Sequence, residues 1–506
     1  MAHHANAAHS LKTTKDKDLN YTMFQAFEWY APGGGIHWNQ LKDKVPSLSD
    51  AGITAFWIPP PYKAAGGENS VGYDIYDLWD LGEFDQKGFR HTKYGTKEEL
   101  DALVKAADEQ GIVTYVDTVL NHKFGADHTE VFAAVQVNSD DRLQDIGQKR
   151  DIEGWTAFDF PGRGAKHSSF KWHFQDFTGV DFDQRTGQNA IFRIWGKSWS
   201  TRVDEEKRNY DFLMGADVDA TTPEVQDDLF DWGAWVIDNI GATGFRFDAV
   251  KHIDYRFISD FIKSARSRTQ KPALFAVGEF WKDSLWDINN WLNNLGTQFS
   301  VFDVPLHYNF KEASDSWDRF DMRKIFDDTL VQSRPIDAVT FVDNHDTQPG
   351  QSLQSWVQPW FKPLAYALIL LRGAGYPCVF YGDMYGCAGP GKEFQNPVSQ
   401  LADFVRARKL FAYGPTWDAW DHPNCIGWVR SGDKDHDGCA VVLCNGSEGI
   451  KWMPVGKEHA GERWTDLLKW HPDEVIINQD GWGEFRCPAG SVSIWTRTNA
   501  RGREEF

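Results

Sequence analysis

The segment GFRFDAVKH, residues 244–252, sets an arginine and a carboxylate two positions apart in an otherwise apolar, strand-like run. Side chains alternate across a strand with period two, so Arg246 and Asp248 are expected on one face and Phe245 and Phe247 on the other. A buried charge is costly unless it is paired or used. That leaves two readings, a structural ion pair or a carboxylate kept ionised for chemistry. Other strand-like runs end in the same way. Asp117, Asn121 and His122 close IVTYVDTVLNH (112–122), Lys251 and His252 follow Asp248, Glu279 lies in ALFAVGEFW (273–281), and Asp343, His345 and Asp346 end AVTFVDNHD (338–346). One polar residue at a strand end is explained by a cap or a turn. Carboxylates at the ends of the three runs 244–250, 273–281 and 338–346, with Arg and His beside them, are hard to explain by packing.

Two or three convergent carboxylates are what hydrolysis of a glycosidic bond needs. One must stay ionised to attack or stabilise an oxocarbenium-like centre, and another must hold a proton near neutral pH for the leaving oxygen. Arg246, beside Asp248, would favour the ionised form. Glu279, set in AVGEFW between apolar neighbours, would have its proton affinity raised by desolvation. The pattern gives this division of labour without naming the sugar, and metal-dependent hydrolysis stays open at this point.

The elements that must position these residues recur along the chain. Eight short apolar runs, 22–30, 53–61, 112–122, 244–250, 273–281, 299–306, 338–346 and 376–383, read as strands. Helical patterns over 97–110, 224–240, 254–266, 319–332 and 397–410 alternate with them. In the second of these, Thr222 is the expected N-cap, Pro223 the first helical residue and Gly241 the terminator, with Val225, Leu229, Trp232, Val236 and Ile240 as the apolar stripe. This alternation predicts a parallel (β/α)8 barrel, whose active site sits at the C-terminal strand ends. A doubly wound open sheet is the weaker alternative, since no G-x-G-x-x-G turn follows an early strand. The stretch 122–221 is too long for a structureless loop and is expected to be an inserted small β-rich domain after strand three. From 412 onward, short strands and turns predict a C-terminal antiparallel β-sandwich. The expected division is therefore a disordered tail at 1–19, a barrel at 20–121 and 222–411, the insertion, and the sandwich at 412–506.

The 506 residues carry a formal net charge of -20 with no low-complexity tract. Such a charge argues against nucleic acid or an anionic membrane surface as partner, and no run approaches the ~18 apolar residues of a membrane span. The N-terminal stretch, with His3, His4 and His9, lacks the apolar centre of a signal peptide, so a cytoplasmic, monomeric protein is expected. The six cysteines show no metal-binding spacing and read as reduced structural thiols. Most of the 24 Trp belong to a core; Trp29, Trp38 and Trp281 are candidates to stack on sugar rings. Asn445-Gly-Ser is a lone glycosylation sequon.

The motifs DTVLNH (117–122), MGADVD (214–219), GFRFDAVKH, GEFW (278–281) and FVDNHD (341–346) resemble the signature regions of the α-amylase family of glycoside hydrolases. Flanking text such as FEWYAPGGGIHWNQL, FPGRG and FKWHFQDF is similar to the liquefying α-amylases of bacteria and their intracellular fungal relatives, and the match runs in order from about residue 20 to 497. The resemblance implies retaining endo-hydrolysis of α-1,4-glucans through a covalent glycosyl-enzyme intermediate. It makes Asp248 the nucleophile, Glu279 the general acid/base and Asp346 the residue that binds substrate hydroxyls and stabilises the transition state. Arg246 is implied to orient the nucleophile, and to belong with His122, His345, Tyr73, Lys251 and Trp281 to the substrate site. The carboxyl groups of Asp248 and Glu279 are expected about 5–5.5 Å apart.

The family also implies one structural calcium between barrel and insertion, held by Asn121, Asp211, Asp217 and the carbonyl of His252, all oxygen donors suited to a hard cation. The bacterial liquefying enzymes add a calcium–sodium–calcium cluster. Asp219 matches that pattern, but Thr178, Ser200 and Thr221 stand at three of its other positions, so the cluster is expected to be absent. Two further functions stay open: a 4-α-glucanotransferase acting on maltooligosaccharides, which shares the covalent intermediate, and a glucan-binding protein without catalysis.

Overall fold

Eight parallel strands close into a barrel in the computed structural model, which describes residues 19–391 and 393–506. The tail expected over 1–19 falls, except for Leu19, outside the described residues. The strands are β1 Met23–Gln25, β2 Ala55–Ile58, β3 Val113–Thr118, β4 Gly244–Phe247, β5 Phe275–Gly278, β6 Ser300–Phe302, β7 Ala338–Phe341 and β8 Tyr376–Phe380, each paired with its neighbours in sequence and β8 with β1. Every one lies within a run expected to be a strand. Period two sorts their side chains. Met23, Ala55, Trp57, Tyr115, Val277, Phe302, Val339 and Cys378 fill the barrel's interior, while Phe24, Phe56, Val116 and Phe245 pack outward against the helices.

The helices follow the strands for local reasons. Lys97–Glu109 opens on a capping box in which Thr96 and Glu99 bond reciprocally. Pro223–Ile240 has Pro223 in its first turn and ends at Gly241 with φ 77°, as expected, but Thr222 makes no side-chain bond at its N-terminus. The helix expected over 319–332 does not form. The helix after β6 is instead Val304–Ser316, started by Asp303, whose side chain accepts from Leu306 N at 3.2 Å, with Pro305 in its first turn. Downstream, Asp321 caps a short 3-10 turn, Asp328 has φ 56°, and only Leu330–Ser333 is helical. Among the described residues no helix is long and apolar enough to cross a membrane.

Between β3 and Pro223 the chain forms an antiparallel six-stranded sheet from His122–Lys123, His128–Gln136, Arg150–Ala157, Phe177–Asp183, Gln188–Ile194 and Ala216–Val218. After Phe411 a second six-stranded antiparallel sheet packs against the pair Gly449–Pro454 and Trp482–Cys487 around a core that includes Val442, Cys444, Met453, Phe485 and Trp495. In that sheet Cys439 and Cys444 face opposite sides, the first toward the barrel and the second into the sandwich. The sequon's Asn445 is 1% exposed, and its side-chain amide donates to the carbonyls of Trp317 (2.7 Å) and Phe320 (2.9 Å), so that nitrogen is not offered for glycosylation.

Candidate active site

Arg246 projects from β4 into the barrel and is completely buried. It is not among the residues that line the cleft; it lies behind them and ties carboxylates together. Its Nη1 donates to Asp248 Oδ1 at 2.6 Å and to Asp117 Oδ1 at 3.0 Å, and its Nη2 donates to Glu279 Oε2 at 2.7 Å. The same-face placement expected from the strand period therefore holds, while Phe245 and Phe247 each meet Phe261 of the helix Tyr255–Arg268 edge to face at 5.5 Å. The arginine serves Glu279 as well as Asp248, the one partner expected for it. Burial pushes the Glu279 carboxyl well above its ordinary range; Arg246 opposes this, and the charges of Asp248 and Asp346 add to it.

Asp117 is the carboxylate whose part the sequence did not disclose. It is fully buried, and besides Arg246 it accepts from Trp57 Nε1 at 2.9 Å and Tyr73 Oη at 2.8 Å. Its position as the inward-facing, penultimate residue of β3 is the available signal. Immediately after Asp248, Ala249 has φ 48° and ψ 39°, a left-handed conformation that costs a non-glycine residue about 1–2 kcal/mol. That bend turns the Ala249 N–H onto Glu279 Oε2 at 3.2 Å.

Asp346 approaches from the loop after β7, its backbone N–H held by Asn344 Oδ1 at 2.8 Å. Burial pushes its carboxyl up to about 7; Arg246 opposes the shift, and Asp248 and Asp117 reinforce it. Its neighbour His345 has Nδ1 2.9 Å from the Gln25 amide nitrogen. An amide nitrogen only donates, which places the ring proton on Nε2, 3.2 Å from Asp346 Oδ2. Burial, aided by Arg246, holds this imidazole well below its ordinary pKa and so neutral. Tyr73 stacks on His345 at 5.1 Å and on Trp29 at 6.0 Å, each within 3° of parallel, forming an aromatic wall.

These residues share one cleft of about 1020 Å³, lined among others by Trp29, Tyr73, His122, Asp248, Lys251, Glu279, Trp281, His345 and Asp346. His122 donates from Nε2 to the Tyr73 carbonyl at 2.9 Å, Trp281 donates from Nε1 to Tyr308 Oη at 3.2 Å, and Lys251 pairs with Glu206 at 3.1 Å. Trp38 is fully buried in the core instead. Asp343 is also away from the cleft, in a buried triad with Lys362 and Asp383. The inserted segment contributes Tyr210, Leu213 and Met214 to the lining; their spacing carried no signal that distinguishes them from packing residues.

Residues 31–411 match the family described as "Alpha amylase, catalytic domain", and residues 440–496 match "Alpha-amylase C-terminal". The chain belongs to the α-amylase family. It is 51% identical over 481 residues to a glucan 1,4-alpha-maltohexaosidase of Bacillus sp. (strain 707), covering 94% of this chain and 92% of that one. It is 41% identical over 488 residues to the cytoplasmic alpha-amylase of Escherichia coli (strain K12), covering 94% and 98%. An Anoxybacillus alpha-amylase crystal structure shares the fold at TM-score 0.63 and 19% identity, with 95% of this chain and 98% of that chain covered.

The α-amylase chemistry does not use every buried acid. Asp211 and Asp217 lie where the inserted sheet meets the barrel. Burial pushes Asp211 up to about 7 and Asp217 well above its ordinary range, and each raises or is raised by neighbouring aspartates. Among the described residues neither forms an ion pair, although Thr178 Oγ1 donates to Asp217. Asn121, Asp211 and His252 border one small cavity, together with Thr178, Ser200, Asp219 and Thr221. Asp217 is outside that lining, but its carboxylate and that of Asp211 are both buried without a cation, a charge deficit that a divalent ion would fill. Asp219 differs, because it already has a cation: Lys197 Nζ sits 2.6 Å from Oδ2, and Thr221 donates to Oδ1. Ser200 is likewise spoken for, donating to Asp254 Oδ2 at 2.9 Å.

Proposed function

We propose that the protein hydrolyses internal α-1,4-glucosidic bonds of starch, glycogen or maltooligosaccharides with retention of configuration. Asp248 is the nucleophile, Glu279 the general acid/base and Asp346 the residue that binds substrate hydroxyls and supports the transition state. The observation that carries this reading is the grip of one guanidinium on Asp248 and Glu279 at the floor of a long, aromatic-walled cleft. Two bonds to one guanidinium suit the ~5–5.5 Å separation of a retaining pair.

The bonding pattern also supports a choice of atoms. Glu279 Oε2 accepts from Arg246 and Ala249, so the transferable proton belongs on Oε1. Asp248 Oδ1 accepts from Arg246, so Oδ2 is the attacking oxygen. Glu279 gives its proton to the glycosidic oxygen as the bond to C1 breaks and Asp248 bonds to C1. Water then loses a proton to Glu279 and attacks C1, which frees Asp248. Trp29, Tyr73 and Trp281 offer flat faces to glucose rings, with His122, His345 and Lys251 as polar contacts.

Asn121, Asp211, Asp217 and the His252 carbonyl would hold one calcium, which when bound supplies the positive charge that two buried carboxylates lack. With Lys197 on Asp219, a second ion beside that residue is not expected. The E. coli relative, named as cytoplasmic, supports a cell-interior location and glycogen or an oligosaccharide as substrate. Reducing-sugar release from soluble starch tests the assignment: the wild type should be active and Glu279→Gln should lose nearly all turnover. Products longer than the input from maltoheptaose would contradict hydrolysis and favour glucan transfer.

A further inference from the structure

Three of the six cysteines meet at one point in the C-terminal domain, far from the cleft in sequence. Cys425 and Cys444 are register partners on adjacent strands of the six-stranded sheet. Cys487 comes from the facing two-stranded pair, opposite Gly449. Its thiol donates to Cys444 Sγ across 3.2 Å and hydrogen-bonds Cys425 as well. Gly449 lets the sulfurs close up, since a Cβ there would lie 2.7 Å from Cys425 Sγ and 2.9 Å from Cys487 Sγ. Cys444 and Cys487 are 0% exposed and Cys425 8%, so Cys425 is the member of the cluster nearest the surface.

We propose that Cys444 and Cys487 are a redox modification site: a peroxide converts them to a reversible disulfide that joins the two sheets of the C-terminal domain. The Cys444 sulfur attacks one peroxide oxygen, the O–O bond breaks, and the departing hydroxide takes the Cys444 proton as water. The Cys487 sulfur then attacks the sulfenic sulfur, the S–O bond breaks, and the hydroxyl leaves as a second water with the Cys487 proton. Two thiols and one peroxide thus give one disulfide and two waters, with two electrons passing to the peroxide. The pair is chosen on the 3.2 Å contact between its sulfurs, and two further observations set the cluster apart from the other three thiols. The hydrogen bond from Cys487 draws the Cys444 thiol down to about 7 and so toward the reactive thiolate. By contrast, burial pushes Cys378, Cys387 and Cys439 each up to about 12.

The test treats the folded full-length protein with hydrogen peroxide, then alkylates it in denaturant and maps its peptides without reduction. The expected result is loss of two alkylatable thiols of six, a peptide in which Cys444 is linked to Cys487, recovery of all six with dithiothreitol, and a raised melting temperature in the oxidised form. Cys487→Ser should abolish the link, and Cys425→Ser should keep it. Six alkylated thiols after treatment, sulfinic or sulfonic acids without a link, or a link between any other pair would overturn the proposal.

Discussion

Asp248 and Glu279 are held by the two arms of one buried guanidinium, Arg246 donating to the first at 2.6 Å and to the second at 2.7 Å. A shared cation cannot by itself make one carboxylate keep a proton and the other lose it. What raises Glu279 is its surroundings: burial dominates there, and the negative charges of Asp248 and Asp346 push it the same way. The arginine then fixes geometry for both. Its removal should leave buried carboxylates without a counter-charge, at a cost of about 3–5 kcal/mol.

The conservative variant isolates the geometric part. Arg246→Lys keeps the charge but not the fork that reaches both carboxylates. We expect kcat on soluble starch to fall about 100-fold, the scale of one lost preorganised donor, with KM nearly unchanged. Initial rates across a starch titration, alongside thermal unfolding to confirm the fold, decide this; an unchanged kcat would contradict it.

The pH profile follows from the same environment. Glu279 must be protonated to act as acid, and its proton affinity in the folded enzyme is raised, so activity is present below that raised pKa and lost as pH climbs through it. Because Asp346 contributes to the rise, Asp346→Asn should move the alkaline limb of the residual kcat/KM to lower pH. A limb that stays in place or moves upward counts against the assignment.

Metal removal should couple fold and chemistry. The His252 carbonyl, proposed to bind calcium, lies four residues beyond Asp248, and His252 Nδ1 donates to the Tyr210 carbonyl at 2.7 Å in the cleft wall. Exhaustive EDTA treatment should therefore lower both melting temperature and activity, with added calcium restoring them. Metal analysis of the dialysed protein should find one calcium per chain; two would show that Lys197 does not exclude a second ion at Asp219.

The aromatic wall gives a binding prediction. Trp29→Ala removes a stacking face beside Tyr73 and should raise KM for maltoheptaose roughly 3–10-fold, the worth of one aromatic contact. A fall in kcat with KM unchanged would place Trp29 in the chemistry instead.

Much of this was legible from sequence because it rests on local regularities. The eight barrel strands are β-rich runs between turn residues, and period two put Arg246 and Asp248 on one face. Helix Val304–Ser316 instead begins inside the run 299–306 that reads as a strand, because the apolar residues around Asp303 and Pro305 resemble one. What the sequence hid are consequences of closure. Asp117, Trp57 and Tyr73 come from separate segments, and only the barrel brings them onto one carboxylate. Lys197 reaches Asp219 across 22 positions through the packing of the inserted sheet, and the meeting of Cys425, Cys444 and Cys487 depends on how two sheets face each other. No spacing along the chain encodes such contacts.

The central claim is that Asp248 carries the sugar between two displacements. Rapid quenching of the Glu279→Gln variant with α-maltosyl fluoride, whose leaving group needs no proton, followed by peptide mass mapping, tests it most directly. The account predicts a maltosyl ester on the peptide containing Asp248, at Asp248 itself. A β-configured product with no adduct, or an adduct on another carboxylate, would contradict it.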